Sequence, residues 1–239
     1  MIVEGKNAVR ELISSGATIN KLYVQNNLKD NLSNQIIKLA KDQKIRIDFV
    51  AKEILDKKSQ TKHHQGFICD TVNFEYSEVD EILAYAENSG EPPFLVILDG
   101  IEDPHNLGAI IRTCECAGVH GIIIPKHRAC QVNDTVIKTS AGATANMKIA
   151  SVTNLNHTID ILKKQNIWVY GLELGGTDIV KANLTGPIAL VVGSEGFGLG
   201  KLTKQNCDQV VTLKQKGKIN SLNASVACGI AVYEILKQR

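Results

Sequence analysis

The sequence predicts an α/β protein: a C-terminal domain built on a parallel sheet covered by helices, preceded by a smaller α/β unit. Three observations carry this. Continuous apolar runs at 94–98, 121–125 and 188–192 read as strands covered on both faces. Amphipathic spacing fills the stretches between them, as at Leu107, Ile110, Ile111, Cys114 and Ala117. Buried strands alternating with helices imply parallel pairing. The first 75 residues instead carry short half-polar signals, such as Ile45, Ile47 and Phe49 alternating with Arg46 and Asp48.

Taken in order, residues 5–14 place Ala8, Val9, Leu12 and Ile13 at helical spacing, and 21–24 form a short strand. Leu32, Ile36, Leu39 and Ala40 mark a helix over 32–44. The alternating strand at 45–50 follows, then a short helix at 52–59 and a strand at 66–74. Ser77-x-x-Asp80 has the form of a capping box, opening a helix with Val79, Ile82, Leu83 and Ala86 on one face. That helix ends at Asn88-Ser89-Gly90, and Glu91-Pro92-Pro93 stiffens the chain beyond it. The change of character divides the chain into a first domain (1–75), a linker helix with its Pro-Pro pair (76–92) and a second domain (93–239). After the strand at 94–98, a loop leads into the helix at 107–117 and the strand at 121–125. A helix over 155–164, strands at 167–172, 188–192 and 210–213, and a long helix over 222–237 complete the second domain.

Composition narrows the function. At 239 residues, 44% hydrophobic and 22% charged, the chain is too apolar for disorder and has no coiled-coil bias. No apolar run reaches the roughly 18 residues that span a bilayer, and Glu4 and Glu11 interrupt the start where a signal peptide would need an apolar core. Six cysteines with no C-x-x-C pair fit thiols in a reducing cytoplasm. Cys114 and Cys116, two apart on a helix, cannot chelate one ion, so no metal is expected. A net charge of +2 argues against coating nucleic acid by bulk charge but allows a basic face. Lys6, Arg10, Lys21, Lys57, Lys58 and Lys62 are the candidates for one. His63-His64, in a polar loop among lysines, reads as solvated.

Three segments carry chemistry. Gly193-Ser194-Glu195-Gly196-Phe197-Gly198-Leu199-Gly200-Lys201 follows a buried strand, where glycines let backbone N–H groups approach a ligand. It fits neither the P-loop nor the dinucleotide fingerprint, and a flexible turn is the plain alternative. Asp103-Pro104-His105-Asn106 opens the helix that carries Arg112. Asn106 would serve as its N-cap, His105 is a tempting base, and Arg112 either pairs with Glu115 or acts on a substrate. The last is Ile219-Asn220-Ser221-Leu222-Asn223-Ala224-Ser225, where Ser221 can cap the final helix. That helix is apolar nearly all round, as expected of one buried in a protein or an oligomer. Asn223 and Ser225 at its mouth need partners, either backbone groups or a substrate.

Together the segments LDGIEDPHNLGAIIRTCECAGVHGIIIP, LVVGSEGFGL and SLNASVACGIAVYE resemble the SpoU, or TrmH-like, ribose 2′-O-methyltransferases, in that family's order. The likeness extends through TSAGATANMKIASVTNL and IWVYGLE to cover about 93–239. IVEGKNAVRELI resembles the start of the small RNA-binding domain of the branch acting on large-subunit rRNA. The resemblance implies a SPOUT domain with a deep trefoil knot, bound S-adenosyl-L-methionine, a homodimer, and 2′-O-methylation of a guanosine in 23S rRNA. By position it assigns catalysis to Arg112, Asn106, Glu195, Ser221 and Asn223, and the cofactor pocket to Gly193, Leu213 and Leu222. Where relatives often read Ile-Pro-Met-x-Gly, this chain reads Leu213-Lys214-Gln215-Lys216-Gly217, which frees the loop backbone and adds charge. A tRNA methyltransferase and a non-catalytic RNA-binding relative are the alternatives. Arginine stays protonated, so Arg112 would orient the ribose or phosphate and stabilise the developing alkoxide rather than act as a base.

Overall fold

Strand-forming residues fall into two groups, and each group builds its own sheet. The computed structural model describes residues 2–14, 17, 19–71, 74–217 and 221–239. It divides into two units, Met1–Glu75 with Val132–Asp134, and Tyr76–Gln131 with Thr135–Arg239.

The first unit runs β1 (Ile2–Glu4), α1 (Lys6–Ser14), β2 (Ile19–Gln25), α2 (Asn31–Asp42), β3 (Ile47–Val50), α3 (Lys52–Lys58) and β4 (Phe67–Thr71). Its sheet has the order β1-β4-β2-β3, with β2 and β3 parallel and the other pairs antiparallel. Period-2 residues Leu22 and Val24 of β2 meet Val9 and Ile13 of α1 and Ile36 and Ala40 of α2 in one core. Asp30 caps α2, its carboxylate accepting from the Ser33 amide at 3.0 Å. Val72 and Asn73, in the strand expected at 66–74, lie outside the described residues.

Two expectations for this unit change. His64 is not solvated. It is 3% exposed, its Nδ1 accepts from the Gly66 amide at 3.0 Å, and its Nε2 faces Asp56 at 2.9 Å. Lys6 and Lys21 are not free cations either, since they pair with Asp30 (2.8 Å) and Asp48 (2.7 Å). Lys21 and Lys58 also lie over the Tyr23 ring. Surface pairs contribute only about 0–1 kcal/mol, so phosphates can compete for these lysines.

The second unit is built from α4 (Val79–Ser89), β5 (Phe94–Asp99), α5 (Pro104–Cys116), β6 (Gly121–Pro125), α6 (Asp134–Thr139), β7 (Ile149–Val152), α7 (Leu155–Lys164), β8 (Trp168–Asp178), β9 (Ile188–Gly193), α8 (Lys201–Asn206), β10 (Gln209–Thr212) and α9 (Ala224–Leu236). Its six strands are all parallel, in the order β10-β8-β9-β5-β6-β7. Leu95, Ile97, Ala189 and Val191 of the central strands share a core with Ile159 and Leu162 of α7 and Ile82 of α4. The chain leaves β5 toward β6 and β7, and leaves β9 toward the other edge. The C-terminal ends of β5 and β9 therefore flank the crevice where open α/β sheets bind ligands.

Three helix starts move. The cap of α4 is Glu78, not Ser77, and Glu78 and Glu81 complete the capping box. Asp103 caps α5, accepting from the His105 amide at 3.0 Å, which puts Asn106 in the first turn rather than at the cap. Asn223, not Ser221, caps α9. The apolar circumference of α9 is only half covered by its own chain. Cys228, Ala231, Val232 and Ile235 are buried, whereas Val226, Ile230, Tyr233 and Leu236 are 40–49% exposed.

Candidate active site

The last residues of the two central strands, Asp99 and Gly193, lie opposite each other in register. The glycine loop leaves from Gly193 and folds straight back. A Cβ at Gly193 would sit 2.2 Å from the Gly198 carbonyl carbon, so only glycine permits the fold-back. Ser194 and Gly198 exchange two backbone hydrogen bonds of 3.1 and 3.0 Å, with Gly196 and Gly198 at φ +87° and +65°. The Gly200 amide donates to Asp99 at 2.8 Å and ties the far end of the loop to β5. Sequence reasoning passed over Asp99; a carboxylate ending a buried strand was the available signal.

The hairpin holds Glu195 toward the starts of α5 and α9. Its Oε1 accepts from the Asn106 side-chain amide (3.1 Å), from the backbone amide of Ala224 (3.1 Å) and from the side-chain amide of Asn223. Backbone amides only donate, so Asn223 must turn its Oδ1 to the amides of Ser225 (3.1 Å) and Val226 (3.2 Å). Its Nδ2 is thereby aimed at Glu195 and at Asn106 Oδ1, 2.9 Å away. Ser225 Oγ also donates to Asn223, at 2.6 Å. The partners expected for Ser225 and Asn223 are thus supplied by the chain itself: backbone amides, each other and, for Asn223, the side chains of Glu195 and Asn106. The N-terminus of α9 favours the negative charge. Glu195 is exposed, and its Oε2 has no hydrogen-bond partner among the described residues.

A cleft of about 760 Å³, within the usual range for small-molecule sites, opens beside this network. Its lining includes Gly193, Glu195, Leu213, Ser221, Leu222 and Asn223. In the departing loop, Leu213 and Gln215 line the cleft while Lys214 and Lys216 are exposed to solvent. Ile219 and Asn220 lie outside the described residues.

Arg112 does not join this group. It is exposed, makes no hydrogen bond or ion pair among the described residues, and does not line the cleft. Six residues past Asn106 on a helix is about 9 Å along the axis and roughly 240° around it. The expected pair with Glu115 is absent too, as Glu115 accepts from Asn146 at 3.3 Å. His105 Nδ1 lies 3.5 Å from Thr139 Oγ1, and His105 does not line the cleft. Among the described residues no cluster suits a metal ion, and no helix is long and apolar enough to cross a membrane.

Residues 93–233 match the SpoU rRNA Methylase family, and residues 2–77 match the RNA 2′-O ribose methyltransferase substrate binding family. The chain is 44% identical over 239 residues to YacO of Bacillus subtilis, named as a TrmH family tRNA/rRNA methyltransferase, covering 99% of this chain and 95% of that protein. A Staphylococcus aureus protein of the same name is 41% identical, covering 100% of this chain and 96% of its own length. Among solved structures, the SpoU methyltransferase AviRb from Streptomyces viridochromogenes in complex with AdoMet superposes with a TM-score of 0.64. It is 22% identical, with 100% of this chain and 90% of that one covered. The A. aeolicus TrmH/SpoU tRNA modifying enzyme superposes with a TM-score of 0.57 at 25% identity, covering 67% of this chain and 83% of its own.

Proposed function

The chain belongs to the SpoU rRNA methylase family, and from that premise we propose that it 2′-O-methylates a guanosine ribose in 23S rRNA using S-adenosyl-L-methionine. The observation that carries the reading is the Asn106–Glu195–Asn223 cluster, set at the ends of the central strands beside a cleft of cofactor size. The cleft suits the cofactor: Leu213 and Leu222 offer apolar contact, and the glycine loop, Thr212, Gln215 and Ser221 add polar residues to its lining. When bound, the cofactor supplies an electrophilic methyl group on a sulfonium.

The residues of the chain do the rest. Asn106 and Asn223 hold Glu195 so that its open oxygen accepts from a ribose hydroxyl. Arg112, permanently charged, grips the ribose-phosphate and stabilises the alkoxide as a substrate phosphate takes the proton. Because Arg112 stands outside the cleft of its own chain, we assign it to a homodimer that presents it to a neighbouring cleft. The exposed apolar face of α9 supports that assembly. Sedimentation at micromolar concentration should give a dimer; an active monomer would remove it. We further infer that the segment from β10 through α9 threads the domain as a trefoil knot, and that residues 1–75, joined by residues 76–92, bind RNA.

Tritium transfer from labelled cofactor tests the reading. Counts should appear in purified 23S rRNA and not in tRNA. The rRNA assignment is supported by the match to a substrate-binding family over 2–77, whereas the tRNA modifying neighbour covers only 67% of this chain. Label in tRNA alone would favour the tRNA alternative. Cofactor binding without transfer would favour the non-catalytic one.

A further inference from the structure

The glycine loop carries one aromatic side chain, and neither the core nor the site network uses it. Phe197 is 95% exposed. A scattered surface phenylalanine needs no explanation, but the backbone of this one is fixed. It sits at the tip of the hairpin closed between Ser194 and Gly198, flanked by two glycines in the left-handed region. The ring is therefore held out at a defined place on the rim of the cleft, which Leu174, 50% exposed, also lines.

We propose that Phe197 is a positioning residue that stacks on the base of the nucleotide being methylated; this rests on the methyl-transfer reading above. Its α-carbon is at most about 7 Å from that of Glu195, two residues back. A nucleotide whose ribose reaches the open oxygen of Glu195 brings its base within range of the ring. Proteins hold bases splayed out of RNA by stacking them on aromatic faces, and such stacking tolerates any base because each has a π-face. The remaining apolar rim is aliphatic and offers no such plane.

The test is single-turnover methyl transfer into 23S rRNA by the full chain, Phe197→Ala and Phe197→Trp, beside cofactor titration and sedimentation. Phe197→Ala should raise the half-saturating RNA concentration about 5- to 150-fold, while Phe197→Trp stays close to wild type. Cofactor affinity and sedimentation should not move. With the methylated position mapped, RNA lacking that one base should bind wild type and Phe197→Ala equally. An unchanged RNA dependence in Phe197→Ala overturns the proposal. So does weakened cofactor affinity, which would place the cofactor's adenine on the ring, or altered sedimentation, which would place a second chain there. A wild-type chain that methylates no RNA would instead remove the methyl-transfer reading itself.

Discussion

Arg112→Lys is expected to slow single-turnover methyl transfer on the order of 100-fold, nearly as far as Arg112→Ala. The substitution keeps the charge and removes the planar fork that grips a phosphate or ribose through paired donors. The surroundings of Arg112 make the comparison clean. Its guanidinium is exposed and bonds to nothing among the described residues, and Glu115 is engaged by Asn146. Neither variant removes a structural contact of the chain, so melting should shift no more than an ordinary surface change, within about 0.5 kcal/mol. Cofactor affinity should hold as well, because Arg112 does not line the cleft of its own chain, and in the neighbouring cleft it is assigned to the ribose-phosphate rather than to the cofactor. Loss of rate with stability and cofactor binding intact would isolate a role on the substrate. A lysine variant keeping more than about half the wild-type rate would reduce Arg112 to a solvated surface cation.

What the sequence discloses follows from how local each signal is. The runs at β5, β6 and β9 are legible because strands buried on both faces must be apolar at every position. The three residues of β1 and four of β7 are too short to show a period, and both are specified by the strands beside them. Capping is a contest among neighbouring side chains. Asp103 and Asn106, or Ser221 and Asn223, are equally plausible on paper, and the turn that packs best decides. His64 reads as solvent-facing among lysines, yet Asp56 and the Gly66 amide satisfy both ring nitrogens inside the fold. The site is less local still. Glu195 meets Asn106 across 89 residues, and Asn106 meets Asn223 across 117. No spacing rule connects those positions; only likeness to a family groups them. The same likeness groups Arg112 with them, although a single chain holds it apart.

The amide of Asn223 can be separated from its oxygen by one substitution. Aspartate caps a helix as well as asparagine does, so Asn223→Asp preserves the oxygen that accepts from Ser225 and Val226. It replaces the Nδ2 donor with a second carboxylate oxygen aimed at Glu195 and Asn106 Oδ1. Near pH 8 the variant should lose most methyl-transfer activity. It should also melt about 5 °C lower, since a hydrogen bond to a charged group contributes about 1.5–3 kcal/mol. Two carboxylates in one site cannot both ionise cheaply, and one pKa rises above its unfolded value. The destabilisation is therefore present above that raised pKa. It is relieved as pH falls through it, when a proton fills the place of the missing N–H. Relative to wild type, Asn223→Asp should recover melting temperature between pH 8 and pH 5, whereas Asn223→Ala, with no group to protonate, should not. Thermal melts and single-turnover rates across that range decide the matter. If Asn223→Asp matches wild type at pH 8, Asn223 is a helix cap and nothing more, and Glu195 is held by Asn106 and the Ala224 amide alone.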